Sequence, residues 1–131
     1  MAYLKPGWFT AKVFNKIAMA AGISGSETLT LTARRSGELQ QIPVISVAVD
    51  ATRFLVSTRG DSQWVKNLRA NPAVSLTTRA GTERFAATEL PVGQRPPVLQ
   101  AYRIKAGKTV DRYFAKLPDP ADHPVFRLTP A

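Results

Sequence analysis

An antiparallel β-barrel with flanking helices is the architecture this sequence predicts, and three observations carry it. Short stretches of period-two alternation recur along the chain, five or six of them after residue 28. They come in pairs joined by turn residues, so the hairpin is the local unit. Helices are few and no G-x-G-x-x-G follows a strand, which leaves a doubly wound sheet without its signature. Periodicity alone does not distinguish a split barrel from an OB-like one.

Taken in order, residues 8–21 read as a helix: Phe9, Val13 and Ile17 repeat every four residues, and Lys12, Asn15 and Lys16 form a narrow polar strip. Gly22 is a natural stop, and Ser24-Gly25-Ser26 links onward. Such a helix either closes one mouth of the barrel or lies on an anionic membrane surface through Lys5, Lys12 and Lys16. Leu29 and Leu31 then alternate with Thr30 and Thr32, the turn Arg34-Arg35-Ser36-Gly37 follows, and the return strand alternates through Ile45, Val47 and Val49. This is a hairpin with two guanidiniums at its tip.

Residues 53–58 form the next strand and end in Ser57-Thr58-Arg59-Gly60. Asp61 or Ser62 is placed to cap a helix whose Trp64, Val65 and Leu68 share a face, and Asn71-Pro72 stops it. A second hairpin runs through Val74 and Leu76, turns at Ala80-Gly81-Thr82 and returns to Leu90. Pro96-Pro97 opens a helix that carries Val98, Leu99 and Tyr102 to Gly107. Thr109 is placed to cap a further helix with Val110, Tyr113, Phe114 and Leu117, and residues 125–128 form a last strand.

The chain has 131 residues, enough for one domain that buries about two-thirds of its unfolded surface without staples. Cysteine is absent, which excludes a disulfide framework, a thiol nucleophile and a zinc–thiolate site. The single histidine, His123, has no neighbouring serine or acid that would suggest a triad, and the nine acids show no ligand spacing, so no metal is expected. No signal peptide or membrane span is evident, so the chain reads as cytoplasmic, with the inner membrane face as a peripheral station for the N-terminal helix. The net charge of +9 predicts attraction to anions. Residues 1–60 carry seven bases and three acids, residues 61–131 eleven and six, so no basic arm stands apart as a nucleic-acid-binding extension would.

Two turns share one chemistry. The hairpin tip offers Arg34, Arg35 and Ser36, and the strand-to-helix turn offers Thr58, Arg59 and Gly60. Brought together, they would make an anion site of fixed charge, hydroxyls and backbone N–H groups, since an arginine fork suits phosphate. Taken alone, the same residues also read as a basic surface turn and a capped helix.

The turns A-R-R-S-G and S-T-R-G, the helix W-V-K-N-L-R-A-N-P and the closing H-P-V-F-R-L-T-P, in that order from Leu29 to the C-terminus, resemble the deazaflavin-dependent nitroreductase family. The resemblance implies a split β-barrel that binds coenzyme F420, a two-electron deazaflavin carrier with a phosphate-bearing polyglutamyl tail. It implies hydride transfer from the reduced cofactor to a small electron-poor acceptor, a quinone or nitroaromatic. Position by position, it puts Arg34, Arg35, Ser36 and Gly37 on the phosphate and tail, and Thr58, Arg59 and Gly60 near the phosphate or ring. Pro43, Val44 and Trp64 would line the ring pocket. Tyr102 and Tyr113, with Thr58, are candidates for the acceptor side.

The chain departs from the family's G-R-K-[ST]-G at Ala33 and Arg35, and Gln40 stands where many members have a further arginine. A homodimer is compatible with the resemblance. The competing readings are a non-enzymatic barrel that holds nucleic acid or lipid, and a split barrel that binds flavin mononucleotide or haem. Against the first, exposed aromatics hardly interleave with the basic residues; the absence of an obvious acid, base or nucleophile cluster suits a cofactor enzyme.

Overall fold

The structure, a computed structural model, describes residues 27–131. The helix read over 8–21, its link at Ser24-Gly25-Ser26 and the membrane contact assigned to Lys5, Lys12 and Lys16 lie outside the described residues. Seven antiparallel strands form one sheet in the order β2-β1-β5-β6-β7-β4-β3: β1 Glu27–Thr32, β2 Leu39–Val44, β3 Val47–Val49, β4 Thr52–Val56, β5 Ala73–Thr78, β6 Gly81–Glu89 and β7 Val125–Pro130. The two edge strands, β2 and β3, are consecutive in the chain, separated only by Ile45 and Ser46. A sheet whose opposite edges are bridged by two residues has to curl until those edges approach, because so short a segment spans only about 10 Å. The result is a barrel that stays open along one seam.

The first hairpin differs from the sequence expectation. The return strand is Leu39–Val44, paired from Glu27↔Val44 to Thr32↔Leu39, and it ends before the Ile45–Val49 alternation where the sequence predicts it. Val47–Val49 belongs instead to a separate tight hairpin with β4, at the far edge of the sheet. The connection is Asp50-Ala51, with φ of 51° and 66°. Two consecutive positive φ values are the geometry of a type I′ turn, which ordinarily advertises itself by Asn-Gly or Asp-Gly. Here the second position is alanine. The turn carries no glycine signal, and the fold forces an L-residue into the left-handed region. Pro43 sits on the outer edge strand, where its missing N–H costs no ladder bond.

The α-helices among the described residues are α1 Gln63–Ala70, α2 Pro96–Ala106 and α3 Asp111–Lys116. Consecutive residues of β4 face opposite sides of the sheet, and both sides are buried. Leu55 belongs to a core with Leu29, Leu31, Leu76, Phe126 and α1's Val65 and Leu68. Phe54 and Val56 belong to another, with Val98, Leu99 and Tyr102 of α2 and Phe114 of α3. Phe126 and Val125 of β7 divide between the two in the same way. β4 and β7 are therefore covered by α1 on one face and by α2 and α3 on the other, which explains the apolar runs Phe54-Leu55-Val56 and Val125-Phe126.

Two expected caps are not made. Ser62 stands at the N-cap of α1, but its side chain makes no capping bond, and the Asp61 carboxylate goes to Arg69 Nη2 at 3.0 Å. Thr109 does not cap α3. Its Oγ1 donates back to Ala106 O at 2.9 Å, closing the end of α2, and Val110 occupies the N-cap. The two prolines at the start of α2 and Gly107 at its end, with φ of 72°, act as the sequence suggests.

His123 is fully buried, each ring nitrogen facing a backbone carbonyl: Nδ1 to Ser57 O at 2.9 Å and Nε2 to Leu117 O at 2.5 Å. Its ring stacks on Phe114 at 4.2 Å. The histidine ties the end of β4 to the end of α3. Arg95 does similar work beside it, donating to Leu90 O and Pro120 O at 3.1 Å each and pairing with Glu89.

Candidate functional site

The end of β2 and the start of α1 enclose a trough of about 610 Å³. Ile42, Pro43, Val44 and Ile45 form one wall, and Val56, Ser57, Thr58 and Arg59 continue it from the end of β4. Ser62, Trp64 and Tyr102 close the remainder. The apolar side chains of the first wall are left to the trough because β2 is an edge strand, paired on one side alone, and Ile45 lies in the crossing from β2 to β3. Trp64 serves twice. Its ring packs against Phe126 of the core, centroids 6.1 Å apart, and also borders the trough. Tyr102 likewise belongs to a core and to the wall, and burial pushes its phenol pKa up, reinforced by Tyr113, so it keeps its proton.

Of the residues singled out in the sequence, Pro43, Val44, Thr58, Arg59, Trp64 and Tyr102 meet in this trough. Arg34, Arg35, Ser36, Gly37 and Gln40 do not line it. They stand at the β1–β2 tip, next to the first turn of α1. Gly37 takes φ of 75°, a conformation that glycine adopts without penalty, and its N–H donates to Ala33 O at 3.0 Å. Ser36 Oγ accepts from the Glu38 N–H at 3.2 Å, and Arg35 is exposed. Arg34 is held against the helix: Nη2 donates to Gln63 Oε1 at 3.0 Å, and Nη1 to Asn67 Oδ1 at 2.7 Å. Gln63 precedes Trp64, so the tip and the trough flank the same turn of α1.

Gly60 closes the other approach, with φ of 75° and space only up to Asp122 O, which an added Cβ would meet at 3.6 Å. Ser57 Oγ donates to Gly60 O at 2.7 Å and fixes the turn. From this turn Arg59 reaches Tyr113. Its Nη2 donates to the Tyr113 hydroxyl at 3.0 Å, and Arg112 Nη2 donates to the same oxygen at 2.9 Å. Both guanidiniums also lie over the Tyr113 ring, 5.2 and 4.9 Å from its centroid. Arg59, then Arg112, stabilise the phenolate and pull the Tyr113 pKa down. Tyr113 is thus one hydrogen bond removed from the trough rather than in its wall.

The sequence reading attached no site role to Asn67 or Ile42, and read Ser62 only as a helix cap and Ile45 only as a strand residue. Asn67 is 5% exposed at the centre of α1. An amide on the apolar face of a helix, one position before Leu68, was the available signal. Ser62 Oγ is buried without a partner, beside the trough. No group of acids and histidines among the described residues could hold a metal, and no described helix is long and apolar enough to cross a membrane.

A flat heteroaromatic ring with a polar, anionic tail suits these residues. The trough has apolar walls and an orphaned hydroxyl in Ser62, and across the first turn of α1 stands the Arg34 guanidinium, whose hydrogen bonds among the described residues go to the neutral amides of Gln63 and Asn67. Comparison with known proteins bears on what that ring is. The solved structure of an F420-H2-dependent reductase, FDR-A, superposes with a TM-score of 0.62 at 22% identity, covering 79% of this chain and 93% of that one. A protein described as a domain-swapped dimer gives 0.63 at 20% identity, covering 93% and 97%. HutZ, a heme storage protein of Vibrio cholerae, gives 0.59 at 15%, covering 93% and 90%. At these identities the likenesses establish the split-barrel fold. No curated protein matches the sequence. The profile of one family matches residues 12–116, most of the chain, and the cofactor it names is the one the tip and helix motifs resemble. The chain belongs to the F420H(2)-dependent quinone reductase family, and it is an F420H2-dependent reductase with coenzyme F420 as its cofactor.

Proposed function

We propose that the trough holds the deazaflavin ring and that the protein reduces a small electron-poor acceptor of the quinone or nitroaromatic class. The observation that carries this reading is the pairing of an apolar trough with an arginine at its border that no carboxylate among the described residues neutralises. When bound, the reduced cofactor supplies the hydride. Pro43, Val44 and Trp64 would pack against the ring and exclude water. Arg34, Arg35, Ser36 and Gly37, with Gln40, would receive the phosphate and tail, and Thr58, Arg59 and Gly60 would border the ring or phosphate. Arginine's planar fork and the unengaged N–H groups of the first helical turn suit that anion.

On the acceptor side, Tyr113 is suited to give a proton to the oxygen that gains charge on reduction. Two guanidinium donors on its Oη stabilise the phenolate left behind, and solvent can return the proton. Tyr102, which holds its proton more firmly, is suited to donate a hydrogen bond from the wall. A haem alternative finds no support in the only histidine, because both ring nitrogens of His123 face backbone carbonyls in the interior. Fluorescence titration with F420 and with flavin mononucleotide tests the reading. Tighter binding of F420 is expected, and equal or tighter binding of the flavin would overturn it.

A further inference from the structure

We infer that Asn67 is a positioning residue which, with Gln63, orients the Arg34 guanidinium through neutral acceptors, so that its charge is left for the anionic tail of the cofactor. The inference rests on the proposed placement of that tail. One atom, Asn67 Oδ1, accepts both from the Arg34 backbone N–H at 3.0 Å and from Arg34 Nη1 at 2.7 Å. Gln63 Oε1 takes Nη2 at 3.0 Å. Asn67 Nδ2 donates to Gln40 Oε1 at 2.9 Å, which fixes which way both amides face and leaves the Gln40 NH2 as the end free to donate outward. Two guanidinium N–H groups are thereby used, and the others remain for a ligand.

The choice of residue type is informative. Arg69, on the same helix, is neutralised by Asp61 at 3.0 Å and by Glu89 at 2.8 Å. A carboxylate at position 67 has nearly the same shape as the amide and would form a charge-assisted, stronger pair with Arg34. If the contact served only to tie the hairpin to the helix, aspartate would do so better. An amide holds the geometry without spending the charge, which matters only when another anion is to be bound.

The test is Asn67→Asp, titrated with F420 and with the deazaflavin riboside fragment that lacks the phosphate and glutamate tail. A near-parental melting temperature is expected, with F420 affinity reduced about tenfold and fragment affinity unchanged. Unchanged F420 affinity, or equal weakening of both ligands, would overturn the inference. Should Asn67→Asp fold poorly, Gln63→Glu places a carboxylate on the same guanidinium from an exposed position, and the same pattern is expected. Arg34→Ala separates this inference from the reading beneath it. If Arg34→Ala leaves F420 affinity intact, the tail is not held at this tip; if it weakens binding while both carboxylate variants do not, only the role of the amides fails.

Discussion

The two helical sides of this barrel treat their buried polar groups differently. Under α2 and α3, His123 and Arg95 direct most of their hydrogen bonds to backbone carbonyls, those of Ser57, Leu117, Leu90 and Pro120. Under α1, Asn67 directs its amide to side chains of the Arg34 tip and to Gln40, besides one backbone N–H. A polar group spent on carbonyls satisfies chain that would otherwise be orphaned, and so holds the fold. One spent on a guanidinium that keeps free donors holds a site. The difference teaches which buried polar residues to expect in stability measurements and which in binding.

The sharpest way to break that comparison is to remove His123. His123→Ala deletes a ring with no exposed surface, with its N–H donor and its stacking on Phe114, so unfolding should cost about 3 kcal/mol less than in the parent. Urea denaturation measures it. A loss below about 1 kcal/mol would mean that the ring is not a fastener.

The acceptor side should respond in rate rather than stability. Tyr113→Phe is expected to lower turnover about a hundredfold, a size ordinary for a lost general acid. In the parent, activity should fall as pH rises through the depressed Tyr113 pKa, because the proton donor is then already ionised. This limb should lie below that of an ordinary tyrosine, shift upward in Arg112→Gln, and vanish from the residual activity of Tyr113→Phe. A pH–rate profile identical in all three proteins would remove Tyr113 from the reaction.

Arg35 supplies a milder test of the α1 side. It is exposed and no bond ties it to α1, so Arg35→Ala should leave the melting temperature at the parental value. F420 binding should weaken by about 1.5 to 3 kcal/mol, the range of a charge-assisted contact, and the deficit should shrink as salt is added. An unchanged dissociation constant would confine the tail contacts to Arg34. The smallest effect is expected at Arg69, whose charge is already spent on Asp61 and Glu89 and whose pKa those two carboxylates drive upward. At 38% side-chain exposure the network is well screened, so Arg69→Ala should cost about 0.5 to 1 kcal/mol of stability and nothing in F420 affinity. A binding defect there would erase the distinction between compensated and uncompensated arginines.

Alternation, turn chemistry and helix stops were enough, in the sequence by itself, to determine an antiparallel barrel, the hairpin tip at Arg34-Arg35, the span of α1 and the prolines that open α2. These are local signals, set by side-chain period and by backbone preferences that act over a few residues. The β3–β4 hairpin escaped because Asp50-Ala51 adopts positive φ without glycine, and only pairing across the sheet pays for that strain. Six of the suspected residues meet in the trough because β2 and β3 lie at opposite sheet edges, a relation no local pattern encodes. The role of Asn67 was hidden for the same reason. Its partners lie 27 and 33 residues away, and a helix-face amide acquires meaning only when tertiary packing brings a guanidinium to it.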